Sequence, residues 1–223
     1  MIRLFVQNKG TTRLCEDSLT ASVIGTMQYL PAETFWRILK DALLFDKLPY
    51  SAGDILDIQF WPNWDAKGID SRVRVEPDVF IRFHEVDLIL EAKRYDANQQ
   101  SEDQLSVQLR SYEKMYNEEN KKLYYVQLGG LHAMTDEPDF IIGNKEIPIC
   151  KTDWSRLLAE VNKEQEKIKA ANFSVLSPSQ RILLDVISAF NIHQYYKINW
   201  LEKINGPSIN TSSLKTFFEY GKN

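Results

Sequence analysis

The stretch EPDVFIRFHEVDLILEAKR, residues 76–94, constrains the fold of this chain more than any other part of its sequence. It holds two apolar runs, at 79–83 and 86–90, which are rich in the β-branched and aromatic residues typical of strands. Only the dipeptide His84-Glu85 separates them. Such a short connection favours an antiparallel hairpin, and the second run is apolar on both faces, as expected of a central strand.

Charged residues stand at the ends of both apolar runs. Asp78 precedes the first run, and Glu91 and Lys93 follow the second. Residues two apart in a strand share a face, so Glu91 and Lys93 project together, and hairpin pairing brings Asp78 close to Glu91. Two adjacent carboxylates repel each other, and a Mg²⁺ or Mn²⁺ ion would compensate them. With a lysine beside the metal, this set of groups suits phosphodiester hydrolysis.

The rest of the first 130 residues predicts a regular succession of elements. Apolar residues recur at helical spacing before the quoted stretch and again after it, and further strand-like runs flank these segments. The order is helix, helix, strand, strand, strand, helix, strand. The predicted helices lie at 16–30, 32–45 and 101–117, and the predicted strands at 54–64, 72–83, 86–94 and 121–130.

The remainder of the chain is predicted to be mainly helical, at 151–170 and 178–203. A soft boundary lies at 143–150. We therefore divide the chain into a domain over 1–145 and a helical extension over 146–223. The extension forms either a small subdomain or a cover over one face of the sheet.

Two motifs of the quoted stretch and the helix after it resemble a known group. Pro77-Asp78 followed by Glu91-Ala92-Lys93 resembles the signature of the PD-(D/E)XK nuclease superfamily. Gln108 and Tyr112 in the next helix resemble the QxxxY motif of its RecB-type branch, and their i, i+4 spacing sets them on one helix face. The element order also resembles the αβββαβ core of that superfamily, over roughly residues 10 to 130.

The resemblance implies an α/β, restriction-endonuclease-like fold and a divalent-metal-dependent nuclease that cleaves DNA. It implies Mg²⁺ as the cofactor, with Mn²⁺ able to substitute. It also implies roles for individual residues: metal ligation by Asp78, Glu91, the Ala92 carbonyl and Glu16, water positioning by Lys93, and contacts to the site or the substrate by Gln108 and Tyr112. Glu16 has an alternative role, since an acidic residue in the first turn also favours the helix dipole.

The charge distribution leaves room for a nucleic-acid partner. The formal net charge is −4, unlike that of a generic nucleic-acid coat protein. An acidic protein can still bind nucleic acid where its basic residues cluster. Arg72, Arg74 and Arg94 flank the quoted stretch and are candidates for phosphate contacts, although Arg72 and Arg74 fit a solvated strand face equally well. The residues do not distinguish DNA from RNA.

Several other classes of protein have no support in the sequence. The two cysteines lack zinc spacing, HExxH is absent, and so are the glycine-rich motifs of nucleotide binding. No apolar run approaches the roughly 20 residues that span a bilayer, and the first residues do not resemble a signal peptide. We expect a cytoplasmic protein that does not enter the membrane.

Each motif also has a structural alternative. Asp78 could cap a turn, Glu91 and Lys93 could form a simple ion pair, and Gln108 and Tyr112 could border an amphipathic helix. The nuclease hypothesis rests on their occurrence together, and its setting in prokaryotic restriction or anti-phage defence rests on analogy with the family. The alternative function is a nuclease-derived module that binds nucleic acid or a protein without cutting. A homodimer, or a partner protein bound through the carboxyl-terminal helices, fits either function.

Overall fold

The computed structural model describes residues 13–69, 71, 73–95, 99–171 and 176–196. The helices of this part are α1 (Glu16–Met27), α2 (Ala32–Ala42), α3 (Glu102–Tyr116), α4 (Trp154–Ala171) and α5 (Pro178–Ile192). The strands are β1 (Ile55–Phe60), β2 (Trp64–Asp65), β3 (Arg74–Val75), β4 (Val79–Phe83), β5 (Val86–Ala92), β6 (Lys122–Leu128), β7 (Phe140–Ile142), β8 (Lys145–Ile147) and β9 (Ile149–Thr152).

A mixed five-stranded sheet in the order β1-β4-β5-β6-β9 forms the centre of the molecule. The pairs β1–β4 and β4–β5 are antiparallel, whereas β5–β6 and β6–β9 are parallel. The hairpin predicted from the apolar runs is therefore present. Its register pairs Val79 with Leu90, which sets Asp78 opposite Glu91 at the next position. The fold class is α/β, with a mixed central sheet flanked by helices, as the sequence predicts.

Helices cover both faces of this sheet, and β5 is buried along its whole length. Leu88 and Leu90 point into a core that α1, α2, α4 and α5 share. Ile89 points the other way, into a core that α3 shares with the β2–β3 hairpin. Because side chains alternate along a strand, Asp87 and Glu91 lie on the same face as Ile89 and are covered by α3.

Some element ends differ from the sequence prediction for local reasons. The first two helices end at Met27 and Ala42, several residues earlier than predicted. Pro31 is the amino-terminal cap of α2, since its ring suits a helix start but not a helix interior. The strand predicted to reach residue 64 stops at Phe60, because Trp61 adopts a φ of +49° that a strand cannot accommodate.

The chain beyond residue 146 adds a strand to the central sheet and two helices to the layer on one of its faces. Strand β9 extends the central sheet by pairing with β6, α4 packs on α2, and α5 packs on α1 and α4. These helices cover one face of the sheet, the second of the two arrangements expected from the sequence. The helix predicted over 178–203 ends at Ile192, and residues 197–203 lie outside the described part.

The sequence analysis predicts neither strand β9 nor the β7–β8 hairpin. It places a soft boundary at 143–150 and a helix from 151, whereas β9 runs to Thr152 and α4 begins at Trp154. Strands of three or four residues are too short to show an alternating pattern. Lys151 also conceals β9, because a lysine seldom lies in a buried strand. Its ammonium donates to the carbonyls of Ala133 and Thr135 and pairs with Glu137, which satisfies its charge.

No helix in the described ranges has the length and apolar character needed to cross a bilayer. The cytoplasmic location stays a prediction.

Gly129 offers a direct test of the close approach between β6 and the end of β5. Its φ is +75°, and an added Cβ would lie 2.3 Å from the carbonyl oxygen of Lys93. We expect Gly129→Ala to lower the free energy of unfolding by about 3 kcal/mol, from backbone strain and overpacking together.

Gly68→Ala is the matched control, because Gly68 has a φ of +82° and nothing within 4 Å of an added Cβ. This variant introduces the backbone strain without the steric clash, so we expect its free energy of unfolding to fall by about 1 kcal/mol. Denaturant unfolding of both variants measures the difference. Equal losses of stability in the two variants would show that there is room for a Cβ between Gly129 and the Lys93 carbonyl.

Candidate metal and catalytic site

Four oxygen atoms from two strands and a helix surround the ammonium group of Lys93. Its Nζ lies 2.6 Å from Glu91 Oε1, 3.0 Å from the Ala92 carbonyl oxygen, 3.2 Å from Glu16 Oε1 and 4.0 Å from Asp78 Oδ2. These are the four residues that the sequence analysis names as metal ligands. The hairpin brings Asp78 and Glu91 together, and the first turn of α1 adds Glu16.

Asp78 is nearly buried at the end of the β4–β5 hairpin. Its Oδ2 accepts a hydrogen bond of 2.8 Å from the backbone N–H of Ala92. Burial raises the pKa of Asp78 to about 7, and the charges of Glu91 and Glu16 add to this rise, while the Ala92 N–H and Lys93 oppose it. A carboxyl group with such a pKa is partly protonated at neutral pH.

Glu91 is 1% exposed, and both of its carboxylate oxygens are hydrogen-bonded. Oε1 accepts from Lys93 and, at 2.7 Å, from Gln104, whereas Oε2 accepts from Gln108 at 2.8 Å. Gln108 in turn accepts a 2.8 Å bond from the hydroxyl of Tyr125. These bonds hold the carboxylate in one orientation.

Gln104 is a site residue that the sequence analysis missed. Its backbone N–H donates to the hydroxyl of Ser101, the amino-terminal cap of α3, at 3.3 Å. Its side chain points to Glu91 instead of back to the cap. The signal was its spacing: Gln104 and Gln108 are four residues apart and share one helix face.

The groups around Lys93 favour its charged form. Burial alone would lower the pKa of this lysine, but the charge and hydrogen bond of Glu91, with Asp78 and Glu16, raise it above its usual value. Lys93 is therefore an ammonium ion at neutral pH. It compensates the carboxylates that would otherwise repel each other.

Glu16 joins the site from the first turn of α1. Its second oxygen, Oε2, accepts from the backbone N–H of Arg94 at 3.2 Å, which ties the helix to the end of β5. Glu16, Asp17 and Asp78 each have a carboxylate oxygen within 4.8 Å of those of the other two, close enough to share a cation. Asp17, which is exposed, is thus a further candidate ligand that the sequence analysis did not assign.

Tyr112 does not join this cluster, although it shares a face of α3 with Gln108. Its hydroxyl donates to Asp87 Oδ2 at 2.9 Å, at the other end of β5. Asp87 is completely buried and also contacts Lys121 at 3.1 Å and Arg82 at 3.4 Å. Burial and the charge of Asp87 raise the pKa of Tyr112 far above its usual value, so Tyr112 stays protonated.

The three arginines that are candidates for phosphate contacts have different positions. Arg94 lies next to the cluster, where its guanidinium donates to the Leu14 carbonyl and faces the ring of Tyr95. Arg74 is exposed on the β2–β3 hairpin, which packs on α3 through Trp64. Arg72 lies outside the described residues.

Among the described residues, the carboxylates close enough to share one cation are those of Glu16, Asp17 and Asp78, and Glu91 is not part of that group. Carboxylate oxygens and a backbone carbonyl are the ligands that Mg²⁺ and Mn²⁺ prefer. Oxygens of Glu16, Glu91 and Ala92 accept hydrogen bonds from the ammonium group of Lys93, so they already bind one cation.

Comparison with known proteins adds one relative. The chain is 29% identical over 213 residues to an uncharacterized protein of Pasteurella multocida (strain Pm70), an alignment that covers 87% of this chain and 76% of the relative. No family model matches the chain, and no solved structure matches it with statistical significance.

The raised pKa of Asp78 predicts a pH-dependent stability in EDTA. The folded protein holds a proton on Asp78 that the unfolded chain loses near pH 4, so the free energy of unfolding falls as the pH rises from about 4 to about 7. We expect Asp78→Asn to remove a fall on the order of 4 kcal/mol, and to be more stable than wild type at pH 8.

Urea unfolding at a series of pH values measures this effect. Glu91→Gln is the contrasting variant, because Lys93, Gln104 and Gln108 all lose a charged acceptor there. It should be less stable than wild type at pH 8. An Asp78→Asn protein with the same pH slope as wild type would contradict the prediction.

Gln108 and Tyr112 bind different carboxylates, so we expect their substitution to have different effects on stability and on Mn²⁺ affinity. Tyr112→Phe removes a bond to a buried carboxylate and should cost about 2 kcal/mol of stability, with unchanged Mn²⁺ affinity. Gln108→Ala should weaken Mn²⁺ binding about 10-fold or more, since it orients Glu91. Unfolding measurements and calorimetric Mn²⁺ titrations test both. Equal losses of Mn²⁺ affinity would place Tyr112 in the site after all.

Proposed function

We propose that this protein is a divalent-metal-dependent nuclease that hydrolyses phosphodiester bonds in DNA. The observation that carries the proposal is the convergence of four oxygens, from Asp78, Glu91, Ala92 and Glu16, on one cationic group. A simple ion pair on a sheet surface would need one carboxylate beside Lys93, not three.

The topology supports the same proposal. The order α1, β1, β4, β5, α3, β6 follows the αβββαβ succession of the restriction-endonuclease-like fold, once helix α2 and the small β2–β3 hairpin are set aside. Its three antiparallel strands and one parallel strand lie side by side in the sheet. Asp78 and Glu91 stand at neighbouring ends of the adjacent strands β4 and β5, and this position supports the proposal.

The chain's own groups have distinct parts in the proposed reaction. Asp78, Glu91, Glu16 and the Ala92 carbonyl would hold Mg²⁺ or Mn²⁺. When bound, the ion supplies neutralisation of the phosphate charge and a bound water of lowered pKa. Gln104 and Gln108 keep the Glu91 carboxylate oriented. Lys93, whose three N–H groups bond to Glu91, Glu16 and the Ala92 carbonyl, would offer them to the attacking water or to a phosphate oxygen once those acceptors held the ion.

DNA is the proposed substrate by analogy with the nuclease superfamily, and Arg94, which lies beside the acidic cluster, is the candidate for a phosphate contact. The proposed setting is restriction or anti-phage defence in a prokaryote. It rests on analogy with the family, and the relative found by comparison is bacterial.

A cleavage assay tests the proposal. Supercoiled, linear and single-stranded DNA would each be incubated with Mg²⁺, Mn²⁺ or EDTA. We expect cutting with either metal and none in EDTA. Lys93→Ala should reduce the rate at least about 100-fold, because it removes the cationic donor from the site.

Lys163→Ala is the control, since Lys163 is an exposed lysine of α4 paired only with Glu160. It should cut like wild type. Mn²⁺ binding without cleavage of any DNA form would favour the non-cleaving binding module instead. Neither binding nor cleavage would reject both functions for this cluster.

A further inference from the structure

The turn that follows β5 is held by bonds to its backbone on both sides. The Lys93 N–H donates to the Leu128 carbonyl at 2.8 Å, and the Arg94 N–H donates to Glu16. The carbonyl oxygens of Lys93 and Arg94 accept bonds as well. Trp154 donates its indole N–H to the first at 2.8 Å, and Tyr195 donates its hydroxyl to the second.

The two residues that bind these carbonyls belong to the carboxyl-terminal part of the chain. Trp154 is the first residue of α4 and is completely buried, and Tyr195 follows the end of α5. Their rings form an aromatic cluster with Phe190, with centroids 6.1 to 6.5 Å apart. This cluster gives both donors a rigid support, because packed aromatic rings have few alternative rotamers.

We propose that Trp154 and Tyr195 are positioning residues for Lys93 and Arg94, and that this is a role of the carboxyl-terminal helices in the site. This inference rests on the proposed function. Lys93 has a long, flexible side chain, and its ammonium reaches Glu91 and Glu16 only from a fixed backbone. Two adjacent carbonyls bound from α4 and α5 fix that backbone in one orientation.

Tyr195→Phe is the variant that isolates this contact. It removes the hydroxyl that donates to Arg94 and leaves the ring in the aromatic cluster. Thr152→Val is the matched control, because the Thr152 hydroxyl also donates to a carbonyl, that of Ala42, at 2.7 Å. The control loses a hydroxyl–carbonyl bond without a change in the turn after β5. The two variants should show similar melting temperatures.

A lysine-labelling experiment measures how firmly the turn after β5 is held, independently of catalysis. The full-length protein in EDTA would be treated with a reductive methylation reagent, and the labelling rate of each lysine followed by mass spectrometry. Lys151 is the internal reference, since it is buried and held by another part of the chain. In Tyr195→Phe, labelling of Lys93 should rise about 5-fold relative to Lys151, as expected for the loss of one hydrogen bond.

The cleavage assay supplies the second measurement. With Mg²⁺, we expect kcat of Tyr195→Phe to fall about 10-fold with KM unchanged, whereas Thr152→Val keeps the wild-type kcat. An unchanged Lys93 labelling ratio in Tyr195→Phe would overturn the inference, whatever the activity of the wild type. An inactive wild type with a raised Lys93 ratio would reject the nuclease and keep the positioning role.

Discussion

The ion pair between Lys93 and Glu91 is the interaction on which this structure depends most. It lies at the end of the most deeply buried strand, where the energetic cost of an uncompensated charge is highest. The same ammonium also faces Glu16 and Asp78, so one cation stabilises three carboxylates. The arrangement allows the start of helix α1, the start of strand β4 and the end of strand β5 to meet at a common point, although each contributes an acid.

The two faces of strand β5 carry different kinds of side chain. One face carries only apolar side chains and lies against four helices. The other places an acid near each end, Asp87 and Glu91, with Ile89 between them. A single helix, α3, serves both acids, through Tyr112 at one end and Gln108 and Gln104 at the other. Asp87 is bound by cations and a phenol inside the protein, whereas the cluster at Glu91 also includes the exposed Asp17.

The sequence predicts those parts of the fold and the site that depend on local pattern. The hairpin over 76–94 follows from two apolar runs and a short turn, and with it come Asp78, Glu91 and Lys93. Tyr112 shows the limit of such patterns. Its face of the helix is predicted, but four residues advance a helix by about 6 Å and a strand by about 13 Å. The residue that Tyr112 meets on β5 therefore depends on tertiary packing, as do the contacts of Trp154 and Tyr195.

The position of β9 has a consequence for how the chain can be divided. Strand β6 lies in the interior of the sheet only because β9 pairs with its outer edge. A fragment that stopped at residue 145 would keep every residue of the acidic cluster, yet it would present an open row of backbone donors and acceptors along β6. It would also uncover the apolar face that α4 and α5 protect. Open edges and bare apolar faces lead to self-association, so such a fragment would tend to aggregate rather than act as a minimal domain.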